Sequence, residues 1–400
     1  MRRIDRRFFL HGLGACSGLA LLPRAHFCAP GFRTNNETTL VLVQLSGGND
    51  GLSTIVPFGD DAYHRDRPTI HHVAKDVRPI DEYRGFNSGL KRLHARFQEG
   101  GLALIEGVGY ENPIRSHFRS LDVWHTADAR GRASGEGWIG RLCETAFGSE
   151  SRPERVVHIG RKPPYSIYST KHPALSFALP RNYRWLEHGD QLKGLGSSKT
   201  SADSGSKQAR LARMRRVMAD AHASSQAVRA AIAAHQPKLH YPDDPFADSL
   251  RSAAALIHSP LETRVMSVEL SGFDTHVDQK NNHQRLMRIL DAALDPFLRD
   301  LEGSESGRQA LVLIFSEFGR RVAENASRGT DHGCAGPMFV AGTPVKGGLF
   351  GKHPSLTKLN DGDLDYTTDF RSVYATAIRS RFGLDPKRVL GADYPLLSFV

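Results

Sequence analysis

Four strand-like runs, each beside a short polar cluster, constrain this chain more than any other feature. Leu40-Val41-Leu42-Val43 runs into Ser46-Gly47-Gly48-Asn49-Asp50-Gly51, and Val268-Glu269-Leu270-Ser271-Gly272-Phe273 leads into Asp274-Thr275-His276. Leu311 to Phe315 leads into Ser316-Glu317-Phe318-Gly319-Arg320, and Gly329-Thr330-Asp331-His332-Gly333 stands just before Met338-Phe339-Val340-Ala341. Short apolar runs bounded by turn residues read as buried strands. In an open α/β sheet, ligands bind outside the carboxyl ends of the strands. Carboxylates and histidines leaving several strand ends therefore converge on one edge, and that chemistry points to a metal site.

Further strand-like runs, Leu102 to Gly107 and Val156 to Ile159, alternate with helix-like ones, which predicts an α/β fold with a mostly parallel sheet. Leu286, Leu290, Leu294, Phe297 and Leu301 recur at helical spacing and predict a one-faced helix over 284–301. A weaker stripe marks 209–234 as helical. Residues 194–206, rich in Gly, Ser and Lys, read as a surface loop. No repeat or linker is visible, so residues 31–400 are expected to form a single domain with a helical insertion around 188–258.

Each polar cluster admits a plain structural reading beside the functional one. Asp274 and His276 project to one side if the chain stays extended, yet an Asp-x-His is also an ordinary polar turn. Asp278 and His283 follow closely and add ligand density. Glu317, at the end of a buried strand, must be solvated, paired or metal-bound, because a lone buried carboxylate is costly. Its structural alternative is a salt bridge to Arg320 or Arg321. Asp331-His332 sits between glycines that allow close backbone approach. The Gly47-Gly48 pair fits neither a P-loop nor a dinucleotide fingerprint and reads as a tight turn presenting Asp50.

Asn112-Pro113-Ile114-Arg115-Ser116-His117-Phe118 follows the strand ending near Gly107 and opens a helix. Ser116 is then either a helix cap or a nucleophile activated by a metal. Arg115 and Arg119 suit phosphate or sulfate oxygens, and Arg115 and His117 join Ser116 as candidate catalytic residues.

Residues 1–30 read as an export signal. Arg6-Arg7-Phe8-Phe9-Leu10 is a twin-arginine pattern, and the apolar stretch from Leu13 to Leu22 is too short to span a bilayer. Cys16 also lies in a lipoprotein-like box, a lesser alternative that would anchor the chain to a membrane. The full chain carries 53 basic and 43 acidic residues, for a net +10; five arginines and one aspartate fall within 1–29, so the remainder carries +6. That excess forms no basic run or aromatic-interleaved stripe, which argues against nucleic acid as a partner and suits an anionic small substrate. Cys143 and Cys334 are the cysteines beyond the signal and are able to pair in an oxidising compartment.

Taken in order, the twin-arginine start, Leu45 to Leu52, Arg115 to Phe118, Gly137-Trp138-Ile139-Gly140-Arg141, Phe273 to His276, Ser316 to Arg320 and Gly329 to Gly333 resemble the exported domain-of-unknown-function family 1501. That resemblance implies an alkaline-phosphatase-like three-layer α/β fold, with a mostly parallel central sheet flanked by helices. By the same resemblance, Asp50, Asp274, His276, Glu317 and His332 would be metal ligands and Ser116 the nucleophile. Phe318 departs from the pattern, standing where the superfamily has a histidine ligand and leaving one of two metal subsites short. The implied activity is metal-dependent hydrolysis of phosphate or sulfate esters outside the cytoplasm, periplasmic or extracellular, with Zn, Mg, Mn or Ca as the ion. Small molecules or polysaccharides would carry the ester. The alternative is a catalytically degenerate binding protein on the same fold, acting on polysaccharide or protein partners.

Overall fold

A computed structural model describes residues 38–129, 135–178 and 223–400. The export-signal reading at 1–30, Cys16, the loop at 194–206 and residues 188–222 of the insertion fall outside the described residues.

The central sheet is built from β1 (Thr39–Ser46), β2 (Leu102–Gly109), β3 (Val156–Ile159), β4 (Leu175–Phe177), β5 (Val265–Ser271), β6 (Ala310–Phe315), β7 (Gly336–Ala341), β8 (Gly348–Phe350) and β9 (Thr368–Asp369). Its order is β8-β2-β7-β6-β1-β5-β3-β4, with β9 on the free part of β2. β7 runs antiparallel to both of its neighbours, and the remaining pairings are parallel. β1 lies between β5 and β6 in continuous register, Leu42 opposite Ser267 on one side and Leu313 on the other.

Alternation along β1 shows why its apolar run is unbroken. Val41, Val43 and Leu45 point into one core, while Leu40 and Leu42 point into another. A strand covered on both faces needs apolar residues at every position. One face is covered by α3 (Pro245–His258) and α4 (Gln279–Glu302), whose Leu250, Leu286, Leu290 and Phe297 are buried there. The other is covered by α1 (His117–Thr126), α2 (Trp138–Phe147) and α5 (Phe370–Phe382), through Val123, Trp124, Leu142 and Tyr374. The result is a three-layer α/β architecture, with the mostly parallel sheet that the alternation of runs predicts and the layering that the family resemblance implies.

The helix expected over 284–301 is longer, reaching back to Gln279, and residues 223–234 of the second stripe are helical. Cys143 and Cys334 are both free thiols; burial pushes each up to about 12. The pairing allowed by the sequence does not form.

Because β1, β2, β5 and β6 are parallel, their carboxyl ends share one edge, and the antiparallel β7 begins there. Asp50, Ser116, Asp274, Glu317 and His332 all lie in the segments at that edge.

Candidate metal centre

The edge is assembled around the turn after β1. Gly47 has φ of +118° and Gly48 of +72°, conformations that side-chain-bearing residues seldom adopt. A Cβ on Gly47 would lie 2.4 Å from the Asp274 amide nitrogen, and one on Gly48 would lie 2.3 Å from the Phe318 ring. The two glycines thus let three strand-end loops close on one another. Gly47 N–H donates to Glu317 Oε1 at 2.9 Å, and Asn49 N–H donates to Ser316 Oγ at 2.9 Å.

Three imidazoles and a carboxylate face one point above this turn. His117 Nδ1 lies 2.8 Å from Glu317 Oε1, His276 Nδ1 lies 3.3 Å from Asp331 Oδ1, and His332 Nδ1 lies 2.9 Å from the Arg115 carbonyl. Each outer partner is an acceptor that a proton on Nδ1 satisfies, and each ring turns its Nε2 inward. Those nitrogens meet Asp274. His276 Nε2 is 3.0 Å and His332 Nε2 is 3.1 Å from Oδ1, while His117 Nε2 is 3.6 Å from Oδ2. The buried His117 Nε2 has no hydrogen-bond partner, and the Nε2 atoms of His276 and His332 are 3.0 Å apart. Nitrogens and a carboxylate grouped this closely are a donor set that a divalent cation fits. Outer acceptors that fix the tautomer of inner histidines are the usual support of a metal site. The donor set fits a divalent ion, through His117, Asp274 and His332, with His276 alongside.

Electrostatics agree. Burial pushes the Asp274 carboxyl up, but the hydrogen bond and charge of Arg320 hold it down at about 2. The Glu317 contact pushes His117 up, against the effect of burial. Glu317 is 1% exposed; burial pushes its carboxyl up, yet the bonds from His117 and from Gly47 N–H hold it below its ordinary range. The salt bridge to Arg320 or Arg321 that its position suggests is not formed; His117 takes that place.

Asp50 is differently engaged. It caps the short helix Gly51–Thr54, accepting from Leu52 N–H at 3.2 Å and from Ser53 Oγ at 2.6 Å. Arg67 holds both oxygens, at 2.6 and 3.0 Å, and Gln279 Nε2 donates as well. Both partners of the Arg67 pair are fully buried. Burial pushes Asp50 up, but the guanidinium outweighs it and holds the carboxyl far below its usual range. No oxygen is left to turn toward the three histidines.

Arg320 plays a similar part for Asp274. Its buried guanidinium donates to Asp274 Oδ1 at 2.7 Å, to Gly48 O at 2.7 Å, to Thr330 O at 2.8 Å and to Phe273 O at 3.1 Å, with a further bond to Gly47 O. It laces the four loops together. The Phe318 ring, 4% exposed, lies 4.8 Å centre to centre from both His117 and His332 and backs their rings.

Ser116 is the cap residue of α1, yet its side chain makes no capping bond. Arg115, expected to meet an anion, is bound instead to Asp363 (2.6 Å) and Asp361 (3.0 Å). Its contribution to the site is the carbonyl under His332. Arg119 is half exposed, 4.0 Å from Asp122. His283, counted with Asp278 as added ligand density, lies apart and is buried against Asn49 Oδ1 at 3.0 Å. Sequence reasoning missed Arg67 and Gln279, which carry no strand-end signature, and it ranked His117 as catalytic because His117 opens a helix rather than closing a strand.

The profile of the family described as "Protein of unknown function (DUF1501)" matches residues 100–393. No curated protein matches the sequence significantly. Among solved structures, the chain is similar to the C-terminal periplasmic domain of EptC from Escherichia coli in complex with zinc, at 10% identity over 90% of this chain and 89% of that one, TM-score 0.43. It is similar to a protein in the alkaline phosphatase superfamily from Vibrio parahaemolyticus, at 9% identity over 92% and 72% of the two chains, TM-score 0.44. It is also similar to the lipoteichoic acid synthase LtaP from Listeria monocytogenes, at 9% identity over 78% and 66%, TM-score 0.35. Nothing about activity follows from likenesses of this strength.

Proposed function

The chain belongs to the family of proteins of unknown function DUF1501, and from that premise and the edge geometry we propose an exported, metal-dependent hydrolase of phosphate or sulfate esters. The observation that carries the reading is the convergence of three imidazole Nε2 atoms on the Asp274 carboxylate. We assign His117, His276, His332 and Asp274 as ligands, with Glu317 and Asp331 as the carboxylates that orient His117 and His276. Asp50, committed to Arg67, is left out of the set. Three nitrogens and one oxygen favour zinc over Mg, Mn or Ca. A divalent ion held there supplies Lewis-acid charge to an ester oxygen and lowers the pKa of a nearby hydroxyl.

The chain's own residues supply the rest. Ser116 Oγ, free of a capping bond, stands at the start of the ten-residue α1, where unpaired amide groups favour an anion. Attack by Oγ forms a serine ester and releases the alcohol, and water then hydrolyses that ester. His117 Nδ1 stays pinned by Glu317 throughout, so the ring cannot swing away. Residues 1–30 serve as a twin-arginine signal and 31–400 as the working domain, with a helical insertion around 188–258. The destination is periplasmic or extracellular, and anchoring through Cys16 is the lesser alternative. No helix among the described residues is long and apolar enough to cross a membrane.

Two observations favour a second reading. The buried carboxylate of Asp50 is neutralised by arginine and Phe318 fills ligand space, as suits a binding protein for polysaccharide or protein partners that keeps the fold without turnover. Metal content and turnover of nitrophenyl phosphate and nitrophenyl sulfate separate the two. The hydrolase reading expects bound metal and turnover that Ser116→Ala abolishes while metal stays. Metal-free, inert wild-type protein would overturn it.

A further inference from the structure

We propose that His235, His258 and Asp300 form a second site, for a zinc-type divalent cation, which staples the helical layer at the end of the molecule away from Asp274. It does not rest on the hydrolase reading. His235 follows the helical residues 223–234, His258 is the last residue of α3, and Asp300 lies in the last turn of α4. α4 begins at Gln279 beside Asp50, and a helix rise of about 1.5 Å per residue puts Asp300 about 30 Å from that end.

The three side chains turn ligand atoms to one point. His235 Nε2 is 2.8 Å from Asp300 Oδ2 and His258 Nε2 is 3.3 Å from Oδ1, and the three ligand atoms lie within 4.8 Å of one another. The imidazoles stack at 25° with centres 5.2 Å apart, so both Nε2 edges meet the carboxylate side by side. Exposure of the side chains is 10% for His235, 16% for His258 and 11% for Asp300, which keeps competing water scarce.

Outer partners orient the set. Ser304 Oγ accepts from Gly307 N–H at 2.9 Å and lies 2.5 Å from His258 Nδ1 and 3.2 Å from Ser306 Oγ. A proton on His258 Nδ1 donated to Ser304, whose hydroxyl passes on to Ser306, leaves the His258 Nε2 lone pair facing the carboxylate. Asp300 Oδ2 also receives the Tyr241 hydroxyl at 2.9 Å. Two imidazoles, one carboxylate and an open fourth position form a donor set suited to zinc. Bonds of about 2.0–2.2 Å give tetrahedral edges of roughly 3.3–3.6 Å; His258 Nε2 stands at that separation from Oδ1, while His235 Nε2, 2.8 Å from Oδ2, must withdraw and the carboxylate must turn one oxygen toward both rings. The competing arrangement is a hydrogen-bonded histidine–aspartate–histidine triad with protons in place of the ion.

Zinc(II) titration of the full chain decides between them. With Asp274→Asn and His332→Ala removing the first centre, chelator-stripped protein is expected to bind one equivalent of zinc and to unfold at a higher temperature when it does. Adding His258→Gln should abolish both the equivalent and the shift. Cobalt(II) in the same protein should show tetrahedral visible bands that His258→Gln erases. If the double variant fails to fold, His258→Gln in the wild-type background should still lower zinc content by one equivalent. Zinc binding that survives loss of His235 and His258, or a loss of stability in His258→Gln that is identical with and without zinc, overturns the proposal.

Discussion

The Nε2 atoms of His276 and His332 stand 3.0 Å apart with their outer nitrogens held by Asp331 and the Arg115 carbonyl. Neither ring can give its inner nitrogen a proton by tautomerising without losing an outer bond. His332→Ala is therefore expected to strip the first centre of metal. Glu317→Gln, which keeps the His117 contact but removes its charge, should weaken metal affinity about 10–100-fold. Inductively coupled plasma analysis of the purified variants checks both, and unchanged content in His332→Ala would remove that residue from the ligand set.

Arg67→Met is expected to cost about 3–5 kcal/mol, because it leaves the fully buried Asp50 carboxylate without a counter-charge. Asp50→Asn combined with Arg67→Met should recover much of the loss. Urea denaturation of the single and double variants measures the difference. If the double variant is no more stable than the single one, the pair is not a closed charge unit.

Acid should unfold the protein earlier than carboxylate protonation alone would. Burial pushes His72, His125, His158 and His283 down to about 4. The fold keeps them neutral while the unfolded chain protonates near 6.5, so stability is present above that pH and is lost as pH falls toward 4. Each contributes on the order of 1 kcal/mol or more. Asp50, depressed by Arg67, adds a further loss at lower pH still. Urea midpoints across this range test the slope, which His158→Leu should flatten and which must not be level between pH 6.5 and 4.

Gly47→Ala should lower both stability and metal affinity, since the new Cβ would lie 2.4 Å from the Asp274 amide in a backbone with φ of +118°. A strained position of this kind costs about 1–3 kcal/mol. A variant that binds metal normally would show that the turn does not place Asp274.

Strand ends were legible in the sequence because a buried run that stops at a polar cluster has a single physical reading. The same logic located Asp274, His276 and His332 at one edge, and Ser116 at a helix start. It could not say which carboxylate is free, because that depends on partners distant in the chain. Arg67 reaches Asp50 from 17 residues away and Arg320 reaches Asp274 from 46 away. Neither distance carries a periodic signature. Phe318, visible as a missing ligand, proved to be a backing for the two rings beside it, a role that only packing discloses.

The Arg67–Asp50 pair has one more consequence. A guanidinium cannot be chelated, exchanged or starved away, so the loops after β1 carry their own counter-ion in the polypeptide. Chelated protein is accordingly expected to keep its near-ultraviolet circular dichroism at this edge, and a collapsed spectrum would contradict that. On the proposed hydrolase reading, loss of an ion from the histidine cluster would leave a cup already shaped, so scarcity of metal would silence the edge without dismantling it and resupply would restore it without refolding.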